Sequence, residues 1–272
     1  MRCFINLFFI IFLVLNSNYI WAAKLAIVID DFGYRQHNEE QIISFSPNIT
    51  IAVLPNSPNA KRIATIAHNN GNDVLIHLPM APLGKQPLEK DTLFPSMDEA
   101  EVNRIVTNAV EQVPYAIGAN NHMGSLMTAD LTGMIKVMKA LSQYSMFFLD
   151  SKTIGKTQIK KAASYYNIPV LTRDVFLDAQ QKESAISLQF DLAVKLARKN
   201  GVAIVIGHPH PQTINILKQK LANLPSDIEL VKISQLITAI PASVNHKTTL
   251  KDIFGKCKKR IEEISNFKIE EE

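Results

Sequence analysis

Cysteine is almost absent from this chain. Of 272 residues only Cys3 and Cys257 carry a thiol. Cys3 lies in an apolar N-terminal run and Cys257 in a charged C-terminal stretch. A processed chain therefore has no pair to cross-link, and cysteine-based zinc or haem sites are excluded. Tryptophan is represented by Trp21 alone, which weighs against a broad aromatic platform. Charge of one sign is also lacking. The 29 Lys and Arg residues nearly balance 25 Asp and Glu, for a net charge of +4 spread along the chain. That is too weak and too diffuse for nucleic-acid binding. Several motifs are missing as well. There is no Gly-x-Gly-x-x-Gly, no Gly-x-x-x-x-Gly-Lys-Ser/Thr, no Gly-x-Ser-x-Gly and no His-Glu-x-x-His. Dinucleotide-binding sheets, P-loops, serine-hydrolase elbows and the common metalloprotease helix are thereby set aside.

What is present begins with a leader. Arg2 supplies a small positive region, Phe4 to Leu15 is apolar apart from Asn6, and Ala22-Ala23 suits a signal peptidase. The run is shorter than the ~20 residues a comfortable membrane span needs. Residues 1–23 are expected to be an export signal, leaving no stable membrane span after cleavage and placing the mature protein in the periplasm. Residues 24–240 are expected to form the folded domain. From 241 to 272 the chain is rich in Lys and Glu and weakly patterned, as in a solvated tail.

Within the domain, strand and helix signals alternate. Leu25 to Ile29, Ile49 to Leu54, Val74 to Met80, Ala116 onward, Met146 to Ser151, Pro169 to Asp174 and the run from Val202 to Pro211 read as strands. A last strand is expected over Ile228 to Ile233. Continuous apolar runs of this length fit strands buried on both faces of a parallel sheet. Helical spacing marks Ser57 to Asn69, Leu131 to Leu141, Gly155 to Tyr166 and Ser187 to Lys199. Another helix follows an expected capping box at Ser96-Met97-Asp98-Glu99. Alternation of this kind implies right-handed crossovers and an α/β fold, a distorted (β/α) barrel of about seven parallel strands.

The polar residues collect where strands end. Asp30-Asp31, His77, Asn121-His122, Asp150, Arg173-Asp174, His208 and His210 all fall there, and in a parallel barrel those ends share one face. Singly, each has an ordinary role as a cap, turn or buried ion pair, and His37, His68 and His246 read as surface residues. Together, a carboxylate with two or more imidazoles is the ligand set of a catalytic zinc or related divalent site.

The ordered set Ile29-Asp30-Asp31-Phe32-Gly33, His77-Leu78-Pro79-Met80, Gly118 to Ser125, Phe148 to Ser151, Arg173 to Asp178 and Gly207-His208-Pro209-His210-Pro211 resembles the divergent polysaccharide deacetylase family. The resemblance runs from about Lys24 to Ile237. It implies an exported hydrolase that removes acetyl groups from an N-acetylated polysaccharide such as peptidoglycan, using a divalent metal, zinc first among candidates. It also implies residue roles. Asp30 is the general base and Asp31 a metal ligand. His77 is a second ligand, with Ala81 standing where a further histidine is usual and His122 as its substitute. His208 is the general acid, with His210 its rival. Asn121, Asp150, Arg173, Asp174 and His210 are expected to bind substrate or support the site, Arg173 standing near the base.

Overall fold

The computed structural model describes residues 22–237. The expected leader through residue 21, His246, Cys257 and the charged tail lie outside the described residues. The elements are β1 (Ala23–Phe32), α1 (Gln36–Phe45), β2 (Thr50–Val53), α2 (Ala60–Asn69), β3 (Val74–Met80) and α3 (Glu99–Gln112). They continue with β4 (Ala116–Met123), α4 (Leu131–Leu141), β5 (Phe147–Asp150), α5 (Ile159–Ser164), β6 (Val170–Thr172) and β7 (Val175–Phe176). The last are α6 (Glu183–Asn200), β8 (Val202–Gly207), α7 (Pro211–Ala222), β9 (Ile228–Leu230) and α8 (Ser234–Ile237). Among the described residues, no helix is long and apolar enough to cross a membrane.

All ladders are parallel, in the order β6-β5-β4-β3-β2-β1-β8-β7, with β9 added beside the start of β1. The result is a parallel half-barrel. Its two end strands are consecutive in sequence. The Arg173 N–H donates to Asp150 O of β5 at 3.0 Å, and the Asp174 N–H donates to Ile204 O of β8 at 2.9 Å. One short segment thus passes from one end of the sheet to the other. The sequence suggests a single strand from Pro169 to Asp174. Only Val170–Thr172 of it is strand (β6), and a separate short β7 begins beyond it at Val175, because the neighbour changes from β5 at Arg173 to β8 at Asp174.

Two apolar cores follow from strand alternation. Leu25, Ile27, Ile29, Ile76, Phe148 and Val205 pack with helix residues such as Ile63, Val102, Val137 and Phe190. The opposite parity (Ala26, Val28, Leu75, Leu149, Ile204 and Ile206) forms a separate cluster with Val231, Ile233 and Leu236. The first is the helix-covered face and the second the concave face. Both being dry explains the continuous apolar runs.

Local departures have local causes. Helix α1 has no counterpart in the sequence reading, because Gln36-His37-Asn38-Glu39-Glu40 is polar and only Ile42 and Ile43 show its apolar stripe. The cap of α3 is Asp98 rather than Ser96, with the Glu101 N–H donating to Asp98 Oδ1 at 2.8 Å. Helix α2 starts at Ala60 rather than Ser57, whose hydroxyl donates to Leu54 O at 2.7 Å. Helix α5 is shorter and α6 four residues longer at its start than the spacing suggests. The latter ends at Gly201 with φ 81°, a left-handed cap. Ala23, the last residue of the expected leader, is the first of β1 and its N–H donates to Asp227 O.

Candidate functional site

Strand parity decides which polar side chains meet. On the concave side Val28 is followed by Asp30, Leu75 by His77, Gly118 by Asn120 and then His122, and Ile206 by His208. Asp31 would face the helices in a regular strand. Between Ile29 and Phe32, however, the β1–β2 register slips, and Asp31 has φ +59°. Aspartate tolerates this left-handed conformation better than most residues, and such bulges re-aim side chains. The irregularity accompanies the arrival of two adjacent carboxylates at one site.

Three donor atoms converge. Asp31 Oδ1 lies 3.0 Å from His122 Nδ1 and 3.2 Å from His77 Nε2, and the two ring nitrogens are 3.2 Å apart. Ligands of a tetrahedral zinc with bonds of 2.0–2.1 Å are separated by about 3.3 Å. A hydrogen-bond chain sets the lone pairs. Asn120 Nδ2 donates to Asp30 Oδ1 at 2.8 Å, so the Asn120 oxygen is left to accept from His77 Nδ1 at 2.8 Å. In a neutral His77 the Nε2 lone pair then faces the Asp31 carboxylate. Acceptors facing one another at this range need a proton or cation between them. The donor set therefore fits a divalent ion, and the outward hydrogen bond of His77 is the usual support of a metal-bound imidazole.

Electrostatics separates the two aspartates. Asp30 is buried, and that burial pushes its carboxyl above the usual range, against the pull of His77, His208 and Asn120. Burial acts on Asp31 in the same direction. The hydrogen bonds with His122 and His77 and the nearby imidazole charges outweigh it, holding Asp31 well below the usual carboxylate range. For His77, burial opposes the charge, but Asp30 and Asp31 prevail and raise its pKa.

Beside this cluster stands a second pair. Asp178 Oδ1 is 2.9 Å from His208 Nδ1, and Asp178 Oδ2 accepts from the His208 backbone N–H and from Thr213 Oγ1. Both Asp178 oxygens are thus engaged, and His208 Nε2 points back to Asp31 Oδ2 at 3.9 Å. Burial disfavours the imidazolium, yet the contact with Asp178 raises His208 to about 9.

The other expected site residues contribute no atom to the donor cluster, although the Arg173 charge interacts with Asp30 as expected of a residue near the base and His210 shares a cleft with Asp31 and His122. Asn121 has the opposite parity to Asn120. It accepts from the Ser151 N–H and donates to Met123 O, and so shapes the loop rather than facing the metal donors. Asp150 lies on the outer parity of β5, where it accepts from the Lys152 N–H at 2.8 Å. Asp174 binds the Ile204 N–H at 2.8 Å and so ties β7 to β8. Arg173 donates to Ser151 O and Lys152 O and lies over Phe176, whose ring meets His208 edge-on. His210 has both ring nitrogens in contact, Nδ1 with Arg35 at 2.9 Å and Nε2 with Gln181 at 3.1 Å. It is therefore less suited than His208 to pass a proton. Ala81 is fully buried, and its carbonyl accepts from Leu126 and Met127. A methyl group there offers no donor atom.

Three residues that matter to the geometry have no assigned role in the sequence. Asn120 could be found by counting back two from His122. Asp178 appears in the motif set, but only the structure pairs it with His208. Glu39 gives no signal. It is fully buried, and its Oε1 accepts from three successive backbone N–H groups, Gly33 (2.9 Å), Tyr34 (2.9 Å) and Arg35 (2.6 Å). That clamp holds the turn immediately after Asp31.

The fold and this arrangement of aspartates and histidines define a polysaccharide-deacetylase-like α/β protein. The chain belongs to the divergent polysaccharide deacetylase family, whose pattern matches residues 27–237. It is 58% identical over 221 residues to the uncharacterized protein YibQ of Escherichia coli (strain K12), covering 81% of this chain and 69% of that one. Among solved structures it is similar to an uncharacterized protein of Agrobacterium tumefaciens C58. That likeness has a TM-score of 0.74 and 22% identity over 79% of this chain and 89% of the other. The peptidoglycan N-acetylglucosamine deacetylase Bc1960 shares the fold at a TM-score of 0.51 and 12% identity, covering 80% of this chain and 89% of that one.

Proposed function

We propose that this protein is a divalent-metal-dependent deacetylase of an N-acetylated envelope polysaccharide. The observation that carries the reading is the convergence of Asp31 Oδ1, His77 Nε2 and His122 Nδ1 at tetrahedral spacing beside buried Asp30 and Asp178-oriented His208. Zinc suits one carboxylate and two imidazoles. Bound there, a divalent cation supplies Lewis acidity toward an acetamide carbonyl and makes a neighbouring water more acidic. Asp30 takes the proton that the attacking water gives up as its oxygen bonds to the acetyl carbon. His208 carries a transferable proton on Nε2, because Asp178 engages Nδ1. It delivers that proton to the amine nitrogen as the C–N bond breaks, and acetate and a free amino sugar result.

Family membership supports the polysaccharide class, and the leader expected at residues 1–23 supports action after export, in the periplasm. The test is acetate release from N-acetylated oligosaccharides and peptidoglycan fragments by the metal-loaded full chain. Release that disappears in Asp30→Asn while metal stays bound is the expected result. Failure on every N-acetylated glycan with metal in place contradicts the enzyme and leaves a glycan-binding or partner-binding protein on the same scaffold.

A further inference from the structure

Beside the metal donors lies a cleft of about 410 Å3, whose walls include Asp31, His122, Tyr34, Arg35, Glu89 and His210. The arginine of this cleft is Arg35, an exposed residue. The Arg35 backbone N–H is fixed by Glu39 at 2.6 Å, and its guanidinium donates to His210 Nδ1 at 2.9 Å. His210 Nε2 lies 3.1 Å from the Gln181 amide on the other side, and the residue sits at the start of α7. The backbone beneath the side chain is thus fixed, and the guanidinium itself has one side-chain partner, the exposed contact with the His210 imidazole nitrogen. Among the described residues, no carboxylate lies within ion-pair distance of it. Glu89, the acidic group across the cleft, is engaged by the Tyr34 hydroxyl at 2.7 Å. Asp31 faces the two histidines.

A guanidinium has five N–H donors in a fixed planar fork that matches a carboxylate. Holding such a group at a cleft wall without an internal counter-ion leaves most of its donors for a ligand. We propose that Arg35 recognises a carboxylate on the glycan, so that the substrate is an acidic N-acetylated saccharide whose carboxylate reaches the cleft wall when the acetamide sits at the metal donors. A single cation facing Glu89 suits a monoanion better than a phosphate dianion. The inference deepens the deacetylase reading and rests on it for the placement of the acetamide.

The experiment compares three soluble probes on the metal-loaded full chain. They are N,N′-diacetylchitobiose, the same disaccharide with a lactyl carboxylate on one sugar, and the methyl ester of that acid. Binding is read by calorimetry and turnover by acetate release. The expected result is tighter binding of the acid than of the neutral and esterified probes. Arg35→Gln should shrink that preference about tenfold, the scale of one charge-assisted hydrogen bond. Arg35→Lys, which keeps charge but not the fork, should restore part of it. Equal binding of acid and ester by the native chain overturns the inference, as does a preference unchanged in Arg35→Gln. Binding of none of the three overturns it too. Acetate release from all three probes without preference removes the inference and leaves the deacetylase intact. An Arg35-dependent preference for the acid without any acetate release removes the deacetylase and leaves the subsite.

Discussion

The amide oxygen of Asn120 lies 2.8 Å from Nδ1 of His77, and this contact decides which nitrogen of His77 faces Asp31. It also links the two proposed functions of the strand-one pair, because the same amide donates to Asp30 at 2.8 Å. Asn120→Ala should weaken divalent-metal affinity about 10- to 100-fold, the usual effect of removing an outer partner of a ligand imidazole. Competition with a chromophoric chelator measures it. Unchanged affinity would mean that His77 does not need this orientation.

Asp178→Asn tests the assignment of the proton donor. Loss of a positioned general acid typically costs 10²–10⁴-fold, so kcat for acetate release should fall by about 100-fold or more. KM and metal content should stay near native values, because Asp178 touches His208 and not the metal donors. An equal loss in His210→Ala, with metal retained, would return the role to His210.

The same pair predicts a pH window for the metal-free protein. Asp178 is depressed below 3.8, since its hydrogen bond and charge interaction with His208 overcome burial. Its stabilising contribution is therefore present above 3.8 and lost as acid approaches its folded value. His208 is raised from 6.5 to about 9. Its contribution is full below 6.5 and fades as pH rises through about 9. With chelator present, the Tm gap between native protein and Asp178→Asn should be widest between these limits and narrow at either end. A gap independent of pH would contradict the ion pair.

Glu39 gives a prediction on stability. Glu39→Ala leaves three adjacent N–H groups without their shared acceptor, a loss of about 3 kcal/mol, whereas Glu39→Gln keeps an acceptor oxygen and should recover part of it. Hydrogen exchange of the Gly33, Tyr34 and Arg35 amides should accelerate selectively in Glu39→Ala. Uniform acceleration across β1 would show general loosening instead.

Much of this was legible in the sequence because parallel strands write themselves as apolar runs with polar ends. Val74 to Met80 and Leu131 to Leu141 have in the structure the limits that the pattern suggests. The family resemblance also gathered Asp30, Asp31, His77, His122 and His208 before any geometry was available. What stayed hidden depends on the third dimension. Glu39 is a buried acid inside a polar helix, so its role exists only because the following loop of β1 folds onto it. Asn121 was favoured over Asn120 although the concave parity belongs to Asn120 and His122. Arg173-Asp174 looked like a site pair, but Asp174 joins β7 to β8 because the segment changes neighbours between them. The bulge at Asp31 has no sequence signature beyond the pair itself.

The most direct test of the account is the metal content of the purified full chain and of Asp31→Ala and His122→Ala. One equivalent of divalent metal in the native protein, lost in both variants while the fold is retained, is the predicted result. Full occupancy in His122→Ala would contradict the three-donor site and with it the expectation that His122 supplies the ligand that Ala81 cannot.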